Sequence, residues 1–269
     1  MKKFSEKLTR WIAYHEILAA IIISILCCSV YTFIFCGGIT SLFVVVGGNI
    51  FVIYLVCRFV SYRKHILINK AFDKLDRECD PYPLYVEVSD LLKSAVRNKN
   101  TTQLFLMYKH NALTHMGDFE QAYATLSEVD VSKMSKKFVA SMSILHTYYM
   151  FSLCDKMGRD SEADHWYNKL LDDYSAVRDP LTIGRVGRSV ENAKLTDMFR
   201  RGEYEAVIEM MEDSTTPTKL SEIIRAMRYA KCYVGLGDTE NAREQLEFVI
   251  ENGGKLYYVK QAEEMMETL

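Results

Sequence analysis

The sequence predicts an all-α protein in two parts: two transmembrane helices, followed by a stack of helical hairpins. Three observations carry this prediction. Residues 17–36 and 41–57 hold no charged side chain. From Leu84 onward apolar residues recur every three and four positions, with no sustained alternation of the strand type. A glycine-led segment recurs four times between Gly117 and Ala242.

The apolar runs come first. About 20 helical residues cover the roughly 30 Å hydrocarbon core of a bilayer, so Ile17–Cys36 spans it, and the run from Ser41 does so by continuing to Val60. Backbone polar groups in lipid must pair within the segment, which makes both runs helical. The short Gly37–Thr40 turn sets them antiparallel. Lys2, Lys3, Lys7 and Arg10 precede the pair, Arg58, Arg63, Lys64 and Lys70 follow it, and the turn carries no charge. Positive residues near membrane ends stay cytoplasmic, so the expectation is a multi-pass protein of the cell membrane with both termini cytoplasmic. Residues 1–16 read as a cytoplasmic amphipathic arm, with Trp11 and Tyr14 at headgroup depth. Gly47, Gly48 and Asn49 fall in the second span, where small residues permit close approach and an amide seeks a helical partner. The expected partner is the first span; a contact across a homo-oligomer is the alternative.

Residues 17–61 thus form the hairpin and 62–83 a juxtamembrane helix and linker. Asp80-Pro81-Tyr82-Pro83 breaks the helix, because proline cannot continue one and restricts the residue before it. The expected junction lies there, with a helical domain over 84–269. Its segments are Leu84–Arg97, Thr102–Met116, Phe119–Val129, Ser135–Met157, Ser161–Tyr174, Arg185–Arg201, Tyr204–Asp213, Lys219–Val234, Thr239–Glu251 and Leu256–Thr268. Gly117, Gly158, Gly202, Gly237 and Gly253 mark helix ends that favour a left-handed residue. The last segment has no following partner. Lys260, Gln261, Glu263, Glu264 and Glu267 give it the polar outer face of a capping helix.

The repeat is specific in its spacing. Alanine follows Gly117, Gly158 and Gly237 by five residues, at Ala122, Ala163 and Ala242. Large apolar residues follow at nine and twelve: Leu126 and Val129, Tyr167 and Leu170, Leu246 and Val249. The copy at Gly202 carries Val207 at the alanine position. Glycine ends the first helix of a pair and the small residue lets the second approach closely. One such hairpin cannot bury its faces alone, so several must stack. The Gly-Asp-Phe/Thr-Glu-x-Ala segments at Gly117 and Gly237, with Tyr233 in the preceding helix, resemble the tetratricopeptide repeat family over about Leu84–Leu269. The spacings of 41, 44 and 35 residues depart from that family's period, and its Trp and Leu-Gly signature and closing proline are missing.

The resemblance implies a TPR-like solenoid whose first helices line a concave groove for a protein or peptide partner. Carried onto this chain, the groove residues are Tyr108, Asn111, Tyr148, Tyr149, Ser152, Asn192, Thr196, Arg228 and Lys231. Arg and Lys would supply charge for an acidic or C-terminal peptide, and Asn would grip its backbone. A solvated face on a domain used as a spacer is the alternative.

Charge and motif exclude other classes. The net charge of −2 conceals 28 basic and 33 acidic side chains in residues 62–269, too acidic for general nucleic-acid binding. No phosphate loop, HExxH, G-x-S-x-G or CxxC occurs. The six histidines read as ordinary surface or half-buried residues, and Cys79, Cys154 and Cys232 as small buried hydrophobes of a reduced compartment. No enzyme activity, metal or cofactor is expected. The functional expectation is a membrane-tethered scaffold or adaptor. A regulatory subunit of a membrane complex and a small-molecule sensor signalling through the hairpin are the alternatives.

Overall fold

The computed structural model describes residues 65–94, 99–212 and 216–269, together with residues 23–25, Phe51, Tyr54, Leu55, Arg58 and Tyr62. Gly47, Gly48, Asn49 and most of both expected spans lie outside the described residues. Among the described residues no helix is long and apolar enough to cross a membrane. The chain divides into two compact units, Met1–Lys70 and Ala71–Leu269.

The second unit is all-α among its described residues. Residues 71–78 are helical, and Ala71 and Leu75 are buried. Ten helices follow: α1 (Tyr82–Ser94), α2 (Lys99–Met116), α3 (Phe119–Ser127), α4 (Lys136–Lys156), α5 (Asp160–Ser175), α6 (Pro180–Arg200), α7 (Tyr204–Glu212), α8 (Lys219–Leu236), α9 (Thr239–Asn252) and α10 (Tyr257–Thr268). Each expected segment is a helix. The main discrepancy is at α6, which starts five residues earlier than Arg185. Asp179 caps it, accepting from Leu181 N and Thr182 N, and Pro180 occupies the first turn, where its missing N–H costs nothing.

Four turns share one geometry. Gly117, Gly158, Gly202 and Gly237 have φ of 83°, 67°, 78° and 75°. In each turn the next residue's N–H reaches back five residues: Asp118 to Leu113 O, Arg159 to Cys154 O, Glu203 to Met198 O and Asp238 to Tyr233 O, at 2.9–3.0 Å. This pattern satisfies helix-end carbonyls and explains the glycine. At two turns the aspartate after glycine also caps the next helix, Asp118 to Gln121 N and Asp238 to Asn241 N. The repeat's small positions are fully buried: Ala122, Ala163, Val207 and Ala242 all have 0% exposure.

The core runs along the stack in successive clusters. Leu106, Met107, Leu113, Ala122 and Leu126 meet Met150 and Leu153 of α4. The other side of α4, Ile144, Phe151 and Cys154, meets Ala163 and Leu170 of α5 and Val186, Val190 and Ala193 of α6. Leu195 then joins Val207, Met211 and Cys232. Each hairpin therefore buries its faces on its neighbours. The three cysteines are free and buried, as their isolation suggested.

The C-terminal helix differs from the sequence expectation. Its outer face is polar, with Lys260, Glu263, Glu264 and Glu267 exposed, as expected of a terminal helix. Its inner face, however, returns to the start of the unit. Tyr257 meets Phe119 edge-on at 5.0 Å, and Tyr258 lies 6.5 Å from His115. Lys255 N donates to Cys79 O at 3.0 Å, and Lys255 Nζ pairs with Asp80 at 2.7 Å. The left-handed residue here is Gly254 (φ 59°), whereas Gly253 keeps a right-handed φ of −73°. A Cβ on Gly254 would stand 2.8 Å from Glu78 O. The array therefore closes on itself.

His110 and His115 are buried, at 2% and 9% exposure, contrary to the half-buried expectation. Helix α2 lies between α1, α3 and α10, leaving little of it wet. Burial holds both imidazoles neutral, their pKa values lowered to about 3 and about 4.

Gly254→Ala combines a left-handed strain of about 1 kcal/mol with a backbone collision, and the expected total loss is about 2–4 kcal/mol. Gly158→Ala, with open space around its Cβ, is expected to lose only about 1 kcal/mol. Urea unfolding of both variants checks the difference.

Candidate functional site

Helix α10 gives one wall to a partly open cavity of about 260 Å³. Its wall comes from the last turns of α4 and α6, from α8, from Phe119 at the start of α3, and from Tyr257, Tyr258 and Gln261 of α10. Three cations face it, Lys156, Arg228 and Lys231, against one carboxylate, Asp155. None of the three cations makes an ion pair among the described residues. Lys156 Nζ donates to Ser152 Oγ at 3.0 Å, and Arg228 to Asn192 Oδ1 at 3.4 Å. Asp155 lies 3.7 Å from Nε of Arg200, whose closer partners are Asp160 at 3.3 Å and Asp164 at 2.7 Å.

Burial sets the electrostatics. It pushes Lys156 down to about 8, with Lys231 and Arg228 adding to the depression and Asp155 opposing it. Burial also lowers Lys231 and raises Asp155. Helix geometry offsets part of the cost, because Lys156 is the last residue of α4, at the negative end of its dipole. Gln261 Oε1, in the same wall, is buried without a hydrogen-bond partner. Three half-buried cations against a single carboxylate are costly for stability alone. The arrangement suits holding a negatively charged group.

The expected groove residues separate into three sets. Thr196, Arg228 and Lys231 line the cavity. Asn192 and Ser152 stand behind it as acceptors for Arg228 and Lys156. Tyr108, Asn111, Tyr148 and Tyr149 lie apart from its lining. Tyr108 packs on Phe72 and Phe105, Tyr149 on His110 and Tyr148, and Asn111 Oδ1 is buried without a partner. The sequence reading missed Asp155, Lys156 and Phe199, which lie two or three residues before a turn glycine and continue the same helical stripe one turn further. It also missed Tyr257 and Tyr258, for which nothing local gave a signal, and it put Gln261 on the outer face of the last helix, whereas Gln261 turns inward to the cavity wall. Among the described residues no group of three His, Cys, Asp or Glu is placed to hold a metal.

No protein family, curated protein or solved structure matches the chain.

The pH dependence follows from Lys156. Its folded value lies below the 10.5 of an exposed lysine. Between about pH 8 and 10.5 the unfolded chain therefore binds more protons, and the destabilisation from this group fades as pH rises. Lys156→Met is expected to raise unfolding free energy by about 1–3 kcal/mol at neutral pH, with the gain disappearing toward pH 10. Urea titrations of both proteins across that range measure it.

Proposed function

We propose that this protein is a noncatalytic, membrane-tethered adaptor whose helical-repeat domain, TPR-like in its hairpins, receives a protein partner at the cationic cavity. The observation that carries the reading is that Lys156, Arg228 and Lys231 line one partly open cavity together with two tyrosines. Charged residues on a solvated spacer face would be screened and dispersed, whereas these are half-buried and make no ion pair among the described residues. An acidic segment of a partner would complement them.

The membrane part of the proposal rests on the uncharged runs at 17–36 and 41–57 and on the flanking positive residues. Ile25, Phe51, Tyr54 and Leu55, the described apolar residues within those runs that are exposed, have 48–60% exposure, surface that water disfavours and lipid covers. Tethering of this kind raises the effective concentration toward partners already at the membrane. A second reading, a sensor for a small anion, is favoured by one observation: the cavity is compact, about 260 Å³.

In this reading the full-length protein stays with the membrane pellet in carbonate, and affinity purification from detergent co-isolates a specific protein. Arg228→Glu is expected to lose at least about tenfold of that partner with the helical circular dichroism unchanged. Release by carbonate, or capture unaffected by Arg228→Glu, overturns it. Ligand-induced thermal stabilisation with no partner captured would favour the sensor.

A further inference from the structure

We infer that the cavity receives a phosphoryl group, free or carried as a phosphomonoester, held by Lys156, Arg228 and Lys231. The inference rests on the cavity being the adaptor's contact site and names the chemistry of what enters it.

Charge decides among the anions. Three cations against Asp155 leave two positive charges uncompensated in the wall. A carboxylate would neutralise one of them. A phosphomonoester, mostly dianionic above its second pKa of about 6, neutralises both. Donor supply agrees. Among the described residues the Lys231 ammonium makes no hydrogen bond, Lys156 spends one N–H on Ser152, and Arg228 spends one on Asn192. Most of their N–H donors thus remain for the oxygens of a tetrahedral group, and the Thr196 hydroxyl stands in the same wall. Size agrees as well. At about 260 Å³ the space is below the range of drug-sized ligand sites and suits a compact head group. Tyr257 and Tyr258 line the same cavity from α10.

The test uses detergent-solubilised full-length protein at about pH 7.5 and about 0.15 M ionic strength, where the phosphomonoester is dianionic and surface attraction is screened. The probes are inorganic phosphate, phenyl phosphate and acetate, each at about 5 mM. Either phosphate compound is expected to raise the thermal midpoint by about 2–5 °C, and acetate by less than about a quarter of that. Response to inorganic phosphate alone assigns a free ion, and response to phenyl phosphate assigns an ester. In Lys231→Met the unliganded midpoint should rise, because an unpaired buried cation is gone, while the ligand shift drops by more than half. That combination separates a binding residue from one needed only for folding. No shift from either phosphate compound, an equal shift from acetate, or a full shift retained in Lys231→Met overturns the inference. Partner capture that depends on Arg228 without any phosphate response would sink this inference and leave the adaptor reading standing.

Discussion

The structure depends on the seam where the last turn before α10 meets the first break of the helical unit. Lys255 bonds to the carbonyl of Cys79 and to the carboxylate of Asp80, and Gly254 lies against Glu78. Cys79 itself has a positive φ of 54°, rare for a residue with a side chain, and is fully buried. Strain of that kind persists only where surrounding contacts over-determine it. Two unusual backbone positions, 79 and 254, meet at this seam. Without it Tyr257 and Tyr258 would not reach α2 and α3, and the cavity would lose the wall they provide.

Elsewhere the molecule uses a single rule repeated along the chain. A left-handed glycine ends one helix, a small residue five positions later lets the next helix come close, and the pair passes its buried face to its neighbour. Helices α4 and α6 each serve two core clusters, so they carry buried residues on opposite sides. Arg200 illustrates the same economy at the outer edge, where one guanidinium links the carboxylates of Asp155, Asp160 and Asp164.

Much of this architecture was legible in the order of residues. Spacing from each turn glycine found all four hairpin turns and their buried small residues, including Val207 in the imperfect copy, because both features obey local rules of helix termination and close approach. The same ruler placed Thr196, Arg228 and Lys231 on the cavity. It misplaced Tyr108 and the Tyr148–Tyr149 pair because α2 and α4 are covered on more sides than a two-layer stack requires. His110 and His115 were misjudged for the same reason. The role of α10 was invisible, since Tyr257 and Tyr258 read locally as ordinary amphipathic positions. Their partners lie more than a hundred residues away, and no period connects them. Gly253 and Gly254 showed the limit most finely. The doublet was evident, but which of the two adopts the left-handed conformation is decided by Glu78.

The ion pair between Asp80 and Lys255 joins residues 175 positions apart in the chain. The hairpins in between can form as soon as they leave the ribosome, each on its predecessor, but this link waits for the final helix. Until then the polypeptide carries a half-made enclosure with its cations facing water. A chain cut before Gly254 would lack this link and the wall that Tyr257 and Tyr258 give the cavity, while the local hairpin turns ahead of it depend on neither.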